Sequence, residues 1–202
     1  MPKLNPDFLA RTALTLGDRE GEKAMSMRRI AAEIGCDPMA IYRHYPNREA
    51  LLDAVADLAI ADAIPDSPGP DAGSWDTRVR ELLTRIRASA LQHPGIAVHI
   101  ASRPPLGSNG LKLAAVLHQA LADAGLRPAD VARAGQALIA YTAAALRMAV
   151  LAGERDERWH QATQAIGHEL PIVGSPEQFD YGLRLLLNGI RSEIPPPPAT
   201  SA

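Results

Sequence analysis

The sequence predicts an all-α protein of about nine to ten helices, from the spacing of its caps and breakers. Three observations carry this. The 202 residues are 47% hydrophobic but only 4% aromatic, with Ala and Leu dominating, a composition that favours helices. No convincing alternating β-branched run is present, so strands are not expected. Capping residues recur just before apolar runs of helical period, and Gly or Pro follows those runs.

The elements follow in order. Helix 1 begins after Asn5-Pro6 and runs to about Leu16 or Arg19, with Phe8, Leu9, Thr12, Ala13 and Leu16 inward. Ser26 caps a second helix whose apolar positions are Ile30, Ala31 and Ile34. Gly35 ends it, where a left-handed backbone costs glycine little. Asp37 caps a third helix with Pro38 at its first position. Ile41 and Tyr45 share one face of it, and Pro46 stops it. Asn47 caps a fourth helix, 47–64, carrying Leu51, Leu52, Val55, Leu58 and Ala59 inward. PDSPGPDAG, 65–73, is the clearest linker. Beyond it helices are expected over Trp75–Gln92, Pro94–Ser102, about Gly107 to Ala124 and Pro128 to Ala152. A shorter one lies around Trp159 to Gly167, and a last one runs from Ser175 to near Ser192. PPPPATSA is expected to be a disordered tail. The domain plan is a first unit at 1–46, a connecting helix at 47–64, a linker at 65–74, a second domain at 75–192 and a tail at 193–202.

The second and third helices have the layout of a helix-turn-helix. Ala31 is small enough for close approach, Gly35 sits four residues later in the turn, and Ile41 anchors the second helix six residues on. An ordinary helical hairpin is the alternative, and charge separates the two. Residues 23–48 hold Lys23, Arg28, Arg29, Arg43 and Arg48 against Glu33 and Asp37, a net of +3. The chain as a whole is −2, so the rest carries −5. A basic patch confined to one element of an acidic chain is a footprint for phosphate. The third helix also presents Met39, Ala40, Tyr42, Arg43 and His44, a composition that suits a groove better than solvent.

The run IAAEIGCDPMAIYRHYPNREALLDAV resembles the N-terminal domain of TetR-family transcriptional repressors. The matching positions are Tyr42, His44, Tyr45, Asn47 and Arg48. The resemblance implies that the third helix enters the major groove of a palindromic double-stranded operator, with Arg28, Pro38, Met39, Ala40, Tyr42, Arg43, His44 and Arg48 at the DNA. Arg43 suits a guanine edge, and Met39 and Ala40 suit thymine methyls. Tyr42, His44 and Arg48 suit phosphates, with partial core packing the alternative for Tyr42. Arg28 suits base or backbone. Arg29 reads as a solvated charge and Cys36 as an inert turn residue.

HPGIAVHIASRPPLGSNGLKLAAVLHQALADAGL resembles the ligand-binding domain of the tetracycline-repressor branch. His99 matches the histidine that meets the drug-bound magnesium, and Ser102 a nearby hydroxyl position. The expected asparagine, aromatic and acidic contacts fall on Leu82, Ile86 and Met148, which argues against tetracycline as effector. His93, His99 and His118 show no metal-ligand spacing, and neither metal nor cofactor is expected. The expectation is an apolar small molecule between helices, lined by Ile86, Ile100, Leu113, Leu117, Leu138, Tyr141 and Met148. His99, Arg103, His118 and Gln136 would be its polar handles. The alternative is that these residues fill a dry core.

Two stripes, Phe179-Gly182-Leu183-Leu186-Leu187-Ile190 and Ala134-Leu138-Tyr141-Ala145-Ala149, suit a homodimer interface made by the helices near 128–152 and 175–192. Monomer core is the other reading of both stripes. Other classes fit poorly. No nucleophile elbow, phosphate loop or carboxylate pair is visible, so an enzyme is not expected. No apolar run is read as reaching the roughly 18 residues of a membrane span. The N-terminus lacks the pattern of a secretion signal, and Cys36 has no partner for a disulfide, so a cytoplasmic location is expected. The functional reading is a repressor released from its operator by a small molecule. A helical adaptor, or an activator without an effector, is the alternative.

Overall fold

In the computed structural model, residues 4–65, 73–151, 157–167 and 174–195 are described, with backbone alone for 157–160 and 162. These residues form ten α-helices and two 3-10 turns, and no strand is found among them. The helices are α1 (Pro6–Glu20), α2 (Met27–Ile34), α3 (Pro38–Tyr42), α4 (Arg48–Ala59), α5 (Trp75–Gln92), α6 (Pro94–Ser102), α7 (Ser108–Asp123), α8 (Pro128–Leu151), α9 (Glu157–Ile166) and α10 (Pro176–Ser192). Most of the expected linker (66–72) and of the expected tail (196–202) lies outside the described residues.

Local chemistry sets the starts. Asn5, Ser26, Asn47 and Ser175 each accept the amide three residues on, at 2.8, 3.2, 2.8 and 3.1 Å, and Asp37 accepts that of Met39 at 2.7 Å. Each satisfies an amide that the helix itself leaves without a partner. Gly35 takes φ 74°, ψ 38° and returns its N–H to the Ala31 carbonyl, the left-handed stop that glycine adopts without strain.

Two elements differ from expectation. The fourth helix stops at Ala59, not 64, and a 3-10 turn covers Ala61–Ala63. Side chains of α5 take the carbonyls released there: Ser89 donates to Ala59 at 2.7 Å, and Arg85 to Asp62 and Ile64 at 3.2 Å. Helix α8, at 24 residues, is also long and apolar enough to cross a membrane by length and composition. That corrects the reading that no such run exists. Here it packs against α6, α7 and α10.

One apolar core runs through the chain. Leu9, Leu16, Ile30, Ile41, Leu51 and Val55 hold α1 to α4 together. Leu82, Leu83, Ile96, Leu117, Leu121 and Leu138 continue it into α5–α8. Helix α6 is the junction, packing on α1, α4, α5 and α8. Phe179, Leu183 and Leu187 are buried within the protomer, as are Leu138 and Ala145, so both stripes serve largely as monomer core. Tyr141 stacks on Phe179 at 5.6 Å and donates to its carbonyl at 2.9 Å, tying α8 to α10. The Arg87 guanidinium lies 5.3 Å from the Phe179 ring centre and donates to the Gly174 carbonyl.

Candidate DNA-reading face and effector cavity

The head is built inside out. Ala31 and Ile41 are fully buried where α2 meets α3. Tyr45 is 8% exposed, and its hydroxyl donates to the Pro6 carbonyl at 2.9 Å, hanging the end of the α3 turn on α1. What remains outward is the set of predicted reading residues. Met39 is 64% exposed and Tyr42 44%, which disfavours core packing for Tyr42. Arg28 and Arg43 are exposed, and Pro38, Ala40 and His44 half-buried.

Its cations divide into two groups. Arg29 is not a free solvated charge. It bridges Glu20 at 2.7 Å and Glu33 at 2.9 Å, and Arg19 joins the same two carboxylates. The Glu20 carboxyl is consequently held down at about 2, first by the hydrogen bond from Arg29 and then by that from Arg19. Arg48 donates to the Met25 and Glu22 carbonyls and to the Glu22 carboxylate, all at 3.1 Å. The clamp expected of Arg48 is therefore directed first at the protein's own loop. Lys23, Arg28 and Arg43 have no ion-pair partner among the described residues, which leaves three unpaired cations on the segment from residue 23 to 43.

In the second half, an apolar cavity of about 120 Å³ lies between α5, α6, α7 and α8. It brings together Ile86, Ile100, Leu113 and Leu117 from the predicted set. Leu83, Ile139, Thr142, Ala143 and Leu146 join them, with Ile60 and the turn Pro104-Pro105-Leu106 closing one side. The other predicted residues lie elsewhere. Leu138 is fully buried in core, Tyr141 is bound to α10, and Met148 is 47% exposed. His118 and Gln136 are exposed. His99 Nε2 lies 2.8 Å from Asp53 Oδ1, and Arg103 reaches both Asp53 oxygens and Glu49. Burial pushes the Asp53 carboxyl up, and the bonds from His99 and Arg103 outweigh this, leaving it lowered. Neither polar handle therefore faces the cavity. Its one lining hydroxyl, Thr142, already donates to the Leu138 carbonyl at 2.9 Å. The residues do not fit a magnesium chelate, because the His99 nitrogen is engaged and Leu82, Ile86 and Met148 offer no oxygen ligand.

On the far side of the 104–106 turn lies an open cleft of about 630 Å³ with a mixed polar and apolar lining, walled by α4 and the N-terminal end of α1. The turn is thus the partition between an apolar cavity and the underside of the head.

The family model for bacterial regulatory proteins of the tetR family matches residues 9–55. That for the tetracyclin repressor-like C-terminal domain matches residues 67–171. The chain belongs to the TetR family. A member of that family is a DNA-binding transcriptional regulator and not an enzyme. An HTH-type transcriptional regulator of Saccharopolyspora erythraea is 29% identical over 204 residues, covering 94% of this chain and 85% of that protein. Tetracycline repressor protein class C of Escherichia coli is 27% identical, with 94% and 92% covered. The TetR family protein ActR of Streptomyces coelicolor, solved in complex with actinorhodin, matches with a TM-score of 0.78 at 28% identity, over 96% of this chain and 98% of that one.

Proposed function

We propose that this TetR-family protein is a homodimeric cytoplasmic repressor whose α3 reads a palindromic operator and which an uncharged, apolar small molecule releases. The observation that carries the reading is the cavity's place in the fold. One wall is the α6–α7 turn together with the first turn of α7, and Gly110 of that first turn is bonded to Asp57 on α4, which runs into the head. A bound molecule that widens the cavity moves the turn, and α4 with it. Such a ligand shifts DNA binding only through its preference for the widened state.

The chemistry of the lining supports the ligand class. No charged side chain faces the cavity, and burying an ion there without a partner is costly. The complex of the ActR relative with actinorhodin is consistent with a small-molecule effector in this architecture. On the DNA side, Arg28, Arg43 and Lys23 have charge to offer to the operator, while Met39 and Tyr42 offer apolar and aromatic surface. The plan of a head at 1–46, connecting helix, linker and second domain gives this coupling its parts. For the dimer, the exposed apolar residues are Met148 and Leu151 on α8 and Tyr181 and Leu185 on α10. They replace the buried stripes as the surface offered to a partner.

The test is titration of the operator complex with small molecules, followed by fluorescence anisotropy. Neutral lipophiles are expected to weaken the complex, and tetracycline with magnesium to leave it intact. A release that requires the metal, or no release by any neutral lipophile, contradicts the reading.

A further inference from the structure

Asp57 is the one carboxylate on α4 that is buried in the described structure, 9% exposed near the helix C-terminus. Its Oδ1 accepts the Gly110 N–H at 2.8 Å and its Oδ2 the Asn109 N–H at 3.1 Å. The Asn109 side-chain amide returns a bond to the Asp57 carbonyl at 3.1 Å. No cation pairs with it among the described residues. Helix α7 has Gly107 at its N-cap and no capping side chain of its own. A Cβ at Gly107 would stand 2.6 and 2.7 Å from the Asp57 oxygens, so glycine is what lets the carboxylate enter. Asp57 therefore caps α7 from another helix, at the positive end where an anion is favoured.

The two amides it holds belong to the cavity wall. Gly110 lines the apolar cavity beside Pro104, Pro105 and Leu106, while Asp57, Gly107 and Asn109 line the open cleft behind. The wall is one turn thick. The neighbouring bonds from Arg103 to Asp53 and Glu49 are half-exposed on both sides and are open to water and salt. The Asp57 bonds are more sheltered, since the residue is 9% exposed and its bond from Gly110 is buried.

We propose that Asp57 is the residue that couples the effector cavity to the DNA-binding head, as a positioning residue acting through the first turn of α7. Displacement of the turn by a cavity occupant carries Asn109 and Gly110 with it. The carboxylate follows its two donors, and α4, a rigid rod of about 18 Å by its rise per residue, passes the shift to the head at its other end. The inference rests on the effector reading above, and the test separates the two.

The experiment is a double-mutant cycle on operator affinity in the full-length protein without ligand. Ala143→Phe puts a ring into the cavity as a tethered occupant. It is expected to weaken operator binding by about tenfold, within the range of known coupling strengths. In the Asp57→Ala background the same change is expected to weaken binding by less than about twofold, because coupled positions are non-additive. Asp57→Asn, which keeps the shape, is run in parallel with a thermal melt to show that loss of coupling is not loss of fold. Equal weakening in both backgrounds overturns the proposal, as does an Ala143→Phe variant that leaves operator affinity unchanged. A parallel arm measures N-phenyl-1-naphthylamine, a neutral fluorescent lipophile, with wild type. Its failure to bind while the cycle shows coupling sinks the effector reading and leaves the Asp57 link standing. Binding and operator release with additive mutants does the reverse.

Discussion

Arg43 and Arg48 lie five positions apart, carry the same charge and are used differently. Arg43 has no side-chain partner among the described residues, so its planar fork is proposed to meet a base edge. Replacing it with Ala is expected to cost about 1–3 kcal/mol of discrimination and to relax one position in each half-site, read by binding to a panel of operator variants. Arg48 spends its donors on the loop before α2, so its loss is expected to act through the position of that loop. The difference was not legible in the sequence. The partners of Arg48 lie 23 and 26 residues away, and those of Arg29 include Glu20, 9 residues upstream on another helix. By contrast Ser26, Gly35, Asp37 and Asn47 were legible, because a cap acts on a backbone group within four residues.

At the scale of elements, α1 and α2 are pinned by the Arg19–Glu20–Arg29–Glu33 cluster, which bears a pH signature. Glu20 is depressed from its ordinary 4.5 to about 2 in the folded protein. A carboxylate depressed on folding stabilises above its unfolded value, and that stability is lost as pH falls through the folded one. Melting temperature is therefore expected to drop between about pH 4.5 and 2, and Glu20→Gln to flatten that part of the curve. An unchanged acid limb in the variant contradicts the pairing. Cavity-lining residues were harder to read than caps. On α8 the expected face held Leu138, Tyr141 and Met148, whereas the cavity meets Ile139, Thr142, Ala143 and Leu146. One position along a helix is a rotation of about 100°, so a correct period with the neighbouring helices unknown selects the wrong face. On α5 and α7 the apolar stripe has one inward side, and Ile86, Leu113 and Leu117 line the cavity.

At the scale of the whole molecule, α1 and α4 both pack on α6, which joins the first helices to the rest, and the working unit is proposed to be a pair. Tyr181 is 56% exposed and Leu185 52% on α10, a face left open in the protomer. Leu185→Arg is expected to shift sedimentation toward monomer and to lower operator affinity steeply, since a lone head reads one half-site. A variant that stays dimeric removes α10 from the interface. The sequence showed the helices but not this division of α8 and α10 into core and contact faces, because each helix is apolar on more than one side.

In the proposed function, paired copies of α3 read DNA. Selection of bound sequences from a random duplex pool, carried out at two salt concentrations, tests it most directly. An enriched palindrome with half-sites about 34–36 Å apart is expected, with affinity that falls steeply with salt as phosphate contacts are screened. Recovery of no common sequence, or of a single unpaired half-site bound equally at both salt concentrations, would contradict it.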